Sequence, residues 1–395
     1  YDTYGFPIDL TKEILEEAGM SVDEEAFAAE MKAQKDRARA ARSKSNYMGA
    51  AETVYNELSA DLTTVFAGYD VAEVSDAKVI ALVANEEVAT GAQAGDSVAV
   101  FLDKTPFYAE SGGQVGDHGT IKTANGLVEV TDCVKVVGGK VAHMGTVKEG
   151  TIMVDDVVTA SIDKRHRMAS SRNHSATHLL QKALRTVLGT HVEQSGSLVT
   201  ADRLRFDFTH FSGMTAEEIK EVERLVNDAI FASYDISAEE MAIDAAREKG
   251  AMALFGEKYA EDVRVVSMGE FSKELCGGTH VANTGVITAF KIVSESGIAA
   301  GVRRIEALTG EGVFAYYREQ EAKLAEAAKL LKATPATVAE KIEHLMAELK
   351  ALQSENEALK SKAAKDALGD VMNQVKEIKG VKLLAAKVEG VDMNG

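Results

Sequence analysis

The sequence predicts a multidomain α+β fold in four successive parts: a helical N-terminal segment, a small antiparallel β-barrel, a mixed α+β domain and a long C-terminal helix or coiled coil. Three observations predict it. Helix signals begin at Pro7, β-branched runs separated by turn residues follow from residue 61, and apolar residues recur in heptads from Val338. The 395 residues are enough for several domains of ordinary size.

The N-terminal segment carries helix signals over residues 7–58. Pro7 stands near a helix start, Gly19 follows the first helical run, and Ser21 with Glu24 has the spacing of a capping box. We therefore predict an all-α part over residues 1–60.

Residues 61–162 have the pattern of a small barrel. Their β-branched runs are separated by turn signals at Asn125-Gly126 and Gly138-Gly139: KVIALVA, SVAVFL, LVEVTD, VKVV and DDVVTASI. Among them lies FYAESGGQVGDHG, residues 107–119, with four glycines. Such glycines let a ligand approach the backbone or form barrel corners, and the residues alone favour the structural role.

Residues 163–310 mix the two periodicities, so we predict an α+β domain. A helix is expected over Met168–Leu188 with Gly189 as its stop, a second over 215–232, and a helical stretch over 239–249. The predicted strands are GSLVT, RLRFDF, VRVVSM, ITAFKIVSES and VRRIEALT.

Residues 311–370 are predicted to be helical, with Pro335 after Thr334 restarting the helix. A heptad seam with one polar position follows: Val338, Ile342, Leu345, Leu349, Leu352, Asn356, Leu359 and Ala363. Its partner is either a second chain or the preceding helix, 313–332, folded back. The run GVKLLAAKVEGV within 371–395 resembles the first strand of another domain, and we expect the sequence to be part of a longer chain.

Composition predicts a cytoplasmic protein. The two cysteines, Cys133 and Cys276, are too few for a disulfide framework, and no apolar run reaches the roughly 20 residues that cross a bilayer. The net charge of −18 argues against a nucleic-acid partner for the chain as a whole. Two basic stretches, 31–44 and 161–205, can nevertheless hold a polyanion locally, although the first is by itself typical of a solvated helix face.

Two short motifs have metal-ligand spacing. HSATH places His174 and His178 one turn apart on a predicted helix, and CGGTH lets Cys276 and His280 converge around two glycines. Three imidazoles and a thiolate suit zinc. Cys133 is predicted to be a small buried residue, and four other histidines lack partner spacing and are expected to be ordinary: His143, His166, His191 and His210.

The role of such a metal stays open between structural and catalytic. Four protein ligands are typical of a closed structural site, whereas polar and basic neighbours such as Thr177, Gln194 and Arg303 favour chemistry. A His-Glu-x-x-His peptidase is disfavoured, because Ser175 stands where its glutamate base would be.

Five motifs in the same order resemble alanyl-tRNA synthetases over essentially the whole chain: YDTYGFPIDLT, FYAESGGQVGD, RNHSATHLLQKALR, EQSGSLV and CGGTHVANTG. The resemblance implies that 1–60 ends the tRNA-recognition region and that 61–310 is the editing domain, with 61–162 its barrel and 163–310 its zinc-binding part. It implies that 311–370 is the helical connection and 371–395 the start of the C-terminal domain. The aminoacylation domain, with its ATP and Mg²⁺, would lie upstream.

The resemblance also implies zinc-dependent hydrolysis of Ser-tRNA(Ala) and Gly-tRNA(Ala), with tRNA(Ala) as partner and homodimerisation through the C-terminal helices. It implies the zinc ligands His174, His178, Cys276 and His280. Cys276, Gln194 and Thr177 are the expected catalytic residues. Arg303 and Arg172 are expected to contact tRNA together with Gln194 and Thr177.

Two other functions stay open beside the editing hydrolase. Free-standing trans-editing proteins share the barrel and both metal motifs but not the helical opening. A non-catalytic piece that binds tRNA or dimerises would use its zinc only for structure.

Overall fold

A computed structural model describes residues 54–252, 261–372 and 375–385, and with them Leu15, Met20, Val22, Ala26 and Phe27. The chain forms two compact units, Tyr1–Val313 and Phe314–Gly395. Most of the predicted helical opening, with the basic stretch 31–44, and the end of the predicted C-terminal strand segment lie outside the described residues. None of the described helices is long and apolar enough to cross a membrane.

Residues 65–162 form the predicted antiparallel barrel. The strands are β1 (Val65–Phe66), β2 (Glu73–Ala84), β3 (Glu87–Ala89), β4 (Gly91–Gln93), β5 (Ser97–Leu102), β6 (Lys104–Thr105), β7 (Gly119–Lys122), β8 (Gly126–Val136), β9 (Lys140–Met153) and β10 (Val157–Ile162). Six of them close a ring in the order β10, β7, β8, β9, β5 and β2, because β10 also pairs with β2. The predicted barrel is confirmed.

The two predicted turns connect neighbouring barrel strands. Asn125-Gly126 lies between β7 and β8, and Gly138-Gly139 lies between β8 and β9. Gly138 and Gly139 have φ angles of 77° and 74°. Residues that carry a side chain rarely adopt such a backbone conformation, so glycine is strongly favoured at both positions.

The barrel interior also contains two of the residues that the sequence predicted to be ordinary. Cys133 is a buried free thiol, and His143 is buried between the Thr105 hydroxyl and the Val100 carbonyl, 2.6 and 2.8 Å away. Burial lowers the pKa of His143 to about 4, so its ring is neutral. Both predictions are confirmed.

The mixed α+β part follows the barrel directly. Its elements are α1 (Lys164–Leu188), β11 (Gln194–Val199), β12 (Leu204–Thr209), α2 (Ala216–Phe231), β13 (Ile236–Ala242), α3 (Ile243–Glu248), β14 (Asp262–Met268), β15 (Ser272–Leu275), β16 (Phe290–Ala299) and β17 (Val302–Thr309). One sheet has the order β11, β12, β17, β16, and a second has the order β13, β14, β15. The core between sheets and helices includes Leu180, Leu184, Phe206 and Phe208.

The predicted helix Met168–Leu188 begins earlier, at Lys164. The Asp163 carboxylate accepts hydrogen bonds from the backbone N–H groups of Arg165 and His166, and this cap starts the helix one turn before its apolar periodicity begins. The end is confirmed, because Leu188 is followed by Gly189 with a φ angle of 119°.

The predicted helical stretch over 239–249 is wrong in its first part. Residues up to Ala242 belong to β13, which pairs along its whole length with β14, and only Ile243–Glu248 is helical. Ala and Glu favour a helix locally, but pairing with the neighbouring strand decides the conformation. ITAFKIVSES is likewise strand only from Phe290, because Thr284–Ile287 forms a 3₁₀ turn.

A buried ion pair between Arg167 and Asp117 links the first turn of α1 to the barrel. The Arg167 guanidinium donates to both carboxylate oxygens of Asp117 and to the carbonyls of Gly68 and Pro106, 2.6 and 2.8 Å away. Asp117 is only 2% exposed and also accepts from the Tyr108 N–H. This network fixes the direction in which α1 leaves the barrel.

The last part contains α4 (Gly310–Leu330), a 3₁₀ turn (Pro335–Thr337), α5 (Val338–Met372) and a hairpin of β18 (Lys376–Ile378) and β19 (Val381–Leu383). The predicted restart is confirmed, since Thr334 caps the 3₁₀ turn that leads into α5. Along the described seam, Ile342, Leu349 and Leu352 are 42%, 57% and 62% exposed. The folded-back alternative is therefore not observed among the described residues.

Arg167→Ala should reduce the free energy of unfolding by about 3–5 kcal/mol, because Asp117 would remain buried without its partner. Urea unfolding followed by circular dichroism measures this. Arg165→Ala on the same helix is the control, since the Arg165 side chain is 82% exposed and its bond to Glu311 lies in solvent. Equal stability of the two variants would contradict the role given to Arg167.

Candidate metal centre

The four predicted ligands meet at one point. His174 and His178 project from one face of α1, and Cys276 and His280 come from the segment after β15. One ligand atom from each residue lies within 4.8 Å of all the others. The Cys276 Sγ is 3.4 Å from the Nε2 of His174 and 3.3 Å from the Nε2 of His280. Among the described residues this is the only cluster of its kind.

Each of the three imidazole rings is held by its Nδ1. The Nδ1 of His174 donates to the Gln114 side-chain oxygen at 2.7 Å, and that of His178 donates to the Glu274 carboxylate at 2.6 Å. The Nδ1 of His280 shares a hydrogen bond of 3.1 Å with the Ser175 hydroxyl. With a proton on Nδ1 of His174 and His178, Nε2 is the nitrogen that each neutral ring can offer to a metal, and the Nε2 of His280 lies 3.3 Å from the Cys276 sulfur. The three Nε2 atoms are thus the available ligands.

The cluster fits a metal ion. The Nε2 of His178 is buried without a hydrogen-bond partner. A buried polar atom without a partner destabilises the fold, and a metal ion bound to this nitrogen would remove that cost. A set of three imidazole nitrogens and one sulfur is typical of tetrahedral zinc sites. The four residues could therefore hold one metal ion and are consistent with zinc.

The charges of the cluster favour a thiolate. Burial opposes ionisation of the Cys276 thiol, but His174, His280 and His178 together hold its pKa well below the usual value. Burial also opposes protonation of His178, yet Glu274 and Cys276 raise its pKa well above the usual value. Burial and the neighbouring imidazoles lower the pKa of His280 to about 3. A thiolate and neutral imidazoles are the forms that bind metal, so a bound metal would displace the proton that the raised pKa of His178 favours.

The backbone of the Cys-Gly-Gly segment is fixed by two side chains. Arg264 donates to the carbonyls of Cys276 and Gly278 at 2.9 and 3.0 Å, and the Tyr69 hydroxyl donates to the carbonyl of Gly277 at 2.5 Å. The Arg264 guanidinium also lies 4.1 Å above the Tyr69 ring. Three successive carbonyls are held, so the sulfur has a defined position.

A cavity of about 980 Å³ opens beside the cluster. It lies between the barrel loop at Gly112-Gly113, helix α1, strand β11 and the β14–β15 hairpin. All three expected catalytic residues, Cys276, Gln194 and Thr177, line it together with His174 and His178. The Thr177 hydroxyl donates to the Asn173 carbonyl at 2.9 Å, so its lone pairs remain available to a ligand.

The two predicted arginines lie elsewhere. Arg303 on β17 makes a bidentate ion pair with Glu295, with bonds of 2.6 and 2.8 Å, and does not line the cavity. Arg172 donates to the Val286 carbonyl and lines a second cavity of about 360 Å³ near Asp163. The structure does not bring either residue to the metal cluster.

Sequence reasoning missed Gln114 and Glu274. Gln114 lies in the glycine-rich loop, which the residues alone assigned to a structural role, and its side-chain oxygen accepts from both His174 Nδ1 and the Thr279 backbone N–H. Glu274 precedes Cys276 by two residues, and alternate residues of a strand share a face. That spacing was a usable signal.

Two family models match the chain. One, described as tRNA synthetases class II (A), covers residues 1–166. The other, described as the Threonyl and Alanyl tRNA synthetase second additional domain, covers residues 263–306, which include Cys276 and His280.

Curated relatives match over the whole chain. The chain is 55% identical to alanine–tRNA ligase 1 of Lachnoclostridium phytofermentans over 395 residues, all of this chain and 45% of the relative. It is 50% identical to the alanine–tRNA ligase of Acetivibrio thermocellus over 393 residues, covering 100% and 44%. Identity to the enzyme of Pelotomaculum thermopropionicum is 46% over 395 residues, covering 100% and 45%. The chain thus spans less than half the length of these relatives.

Gly278→Ala should weaken metal binding by about 100-fold, because the added methyl group would overlap the His174 ring and displace this ligand. Competition for zinc with a chromophoric chelator measures the affinity. Gly277→Ala is the matched control, since a methyl group there meets only the Tyr69 hydroxyl oxygen at 4.0 Å. Unchanged affinity in Gly278→Ala would contradict the assignment of His174 as a ligand.

Proposed function

The chain belongs to the alanyl-tRNA synthetase family, and on this premise we propose that its cavity is an editing centre that hydrolyses Ser-tRNA(Ala) and Gly-tRNA(Ala). The observation that carries the proposal is the position of the His/Cys cluster. It lies at the wall of a cavity large enough for an aminoacylated ribose instead of being closed off in a core.

Zinc is the proposed metal, held by His174, His178, Cys276 and His280. When bound, it supplies a Lewis acid that polarises an oxygen and activates water for attack on the ester. Gln114, Glu274 and Ser175 keep the three rings in the orientation that presents Nε2. Arg264 and Tyr69 hold the Cys276 backbone in place.

The polar wall of the cavity supports selection of serine over alanine. Thr177 and Gln194 offer hydroxyl and amide groups to the serine hydroxyl, and alanine would leave these groups without a partner. A synthetic site sized for alanine also accepts glycine, because a pocket cannot exclude a smaller side chain sterically. A second site is therefore needed to hydrolyse the wrongly charged tRNA.

tRNA(Ala) is the proposed partner, and the cytoplasm, where tRNA is charged for protein synthesis, is the proposed location. The exposed seam of α5 supports a homodimer, because its leucines repeat at heptad spacing and Asn356 supplies a polar position that fixes register. Arg172 and Arg303 remain proposed tRNA contacts outside the cavity. For a full-length protein that contains this chain, we propose that an upstream domain attaches alanine to tRNA(Ala) with ATP and Mg²⁺.

The 395-residue chain should release serine from Ser-tRNA(Ala) and leave Ala-tRNA(Ala) intact, and a chelator should abolish the release. Cys276→Ala should reduce the rate by about 100-fold, because the metal loses a ligand. Acid-quenched release of labelled amino acid measures both.

Cys133→Ala is the control for loss of a thiol, because Cys133 is buried in the barrel. Circular dichroism shows whether each variant is folded. If folded wild-type chain binds zinc and tRNA but cleaves neither ester, the zinc is structural and the proposal is wrong.

A further inference from the structure

A ladder of four aromatic rings runs from the core of the α+β part to the solvent. Phe208 is buried, His210 follows it at 6.4 Å between ring centroids, His191 lies 5.2 Å from His210, and Phe211 lies 6.1 Å from His191. The successive rings are tilted by 27°, 23° and 21°, so they are nearly parallel. We call His191, His210 and Phe211 the ring shelf.

The exposed end of the ring shelf has no structural explanation. Phe211 is 90% exposed, although an aromatic side chain ordinarily buries most of its surface. Phe231, at the end of α2, is 75% exposed, but its ring has no aromatic neighbour among the described residues. Phe211 thus differs from an isolated exposed phenylalanine in being stacked on other rings.

The two histidines of the ring shelf are held by hydrogen bonds. The Nε2 of His191 and the Nδ1 of His210 share a hydrogen bond of 2.9 Å, and the His210 N–H donates to the Gly301 carbonyl at 3.0 Å. The Thr209 hydroxyl donates to the His191 carbonyl at 2.8 Å. A flat ligand would therefore meet two rings that are already oriented, which reduces the conformational entropy lost on binding.

The ring shelf follows the strands that form one wall of the cavity. Gln194, which lines the cavity, is paired with Phe208 across strands β11 and β12, and His210 comes directly after the end of β12 at Thr209. Two residues of a strand cover about 7 Å. None of the three shelf residues lines the cavity, and His191 lies three residues before the lining residue Gln194.

Positive charge lies beside the ring shelf. Arg185 on α1 donates to the Val192 carbonyl at 2.6 Å, next to His191, and makes no ion pair with a described carboxylate. Other arginines of the basic stretch 161–205 are paired with carboxylates: Arg165, Arg167, Arg203 and Arg205. The Arg185 charge is therefore available to an anion in an otherwise acidic protein.

We infer that the ring shelf stacks a nucleobase of single-stranded RNA, with Arg185 beside the adjoining phosphate. The inference rests on the proposed function, which puts the aminoacylated ribose in the cavity. The base on the shelf then belongs to a nucleotide that precedes the aminoacylated one. Flat aromatic surfaces with a nearby cation bind single strands because every base has a face that can stack.

The test is the binding of a short fluorescein-labelled single-stranded RNA with a free 3′-hydroxyl to the 395-residue chain, followed by fluorescence anisotropy. Phe211→Leu should weaken binding about 5- to 10-fold, because leucine keeps the apolar surface but has no face for stacking. Phe211→Tyr should bind like the wild type. Phe231→Leu is the matched control and should also bind like the wild type.

Binding of this RNA needs no ester, so the inference and the proposed function can fail separately. If Phe211→Leu and Phe231→Leu bind equally well while serine is still released from Ser-tRNA(Ala), the ring shelf is not a base platform and the editing proposal stands. If wild-type chain releases no serine but Phe211→Leu alone loses RNA affinity, the shelf is supported and the hydrolase is not. Equal loss in both variants would also overturn the shelf, because an unstacked phenylalanine would then serve as well.

Discussion

The side-chain amide of Gln114 is the contact on which the site depends. It reaches from the barrel loop into the α+β part, where one oxygen accepts from both His174 and the Thr279 backbone and the nitrogen donates to the Thr279 hydroxyl. The oxygen fixes the tautomer of the His174 ring, one of the four candidate metal ligands, and the path of the segment that carries Cys276. The barrel is therefore part of the centre, because without its loop His174 would have no partner for Nδ1.

The fold was predictable where periodicity or turn chemistry is strong. The barrel, its two glycine turns and the end of α1 at Gly189 were confirmed, because each depends on local backbone preferences. The prediction for residues 239–242 was wrong, because these helix-forming residues pair with strand β14 instead. The His/Cys cluster could be predicted from the two motifs, because both have the spacing of metal ligands. Gln114 and Tyr69 could not be predicted, because their partners His174 and Gly277 are 60 and 208 residues away in sequence. Arg264 could not be predicted either, because its contacts with the carbonyls of Cys276 and Gly278 depend on how the segment after β15 folds back.

The net charge of the chain can be read from its composition, but the ion pairs that neutralise individual charges appear only in the structure. A net charge of −18 suggests little affinity for RNA, yet some of the acidic residues pair with individual arginines, as Asp117 pairs with Arg167. What matters for a polyanion is which cations remain unpaired and where they lie. Arg185 makes no ion pair within the part of the chain that the structure describes, whereas Arg303 pairs with Glu295. Local pairing therefore carries more information about an RNA partner than net charge does.

The wide spacing of the ligands has a consequence for the order of folding. Cys276 is 102 residues from His174, and the glutamine that orients His174 is 60 residues before it. Closing such long loops costs entropy that local contacts cannot offset, so the ring of ligands is complete only after the barrel and the α+β part have docked. During synthesis, the ribosome must release the chain beyond His280 before the four ligands can meet. Uptake of a metal at these four residues would therefore be a late event that follows assembly and does not start it.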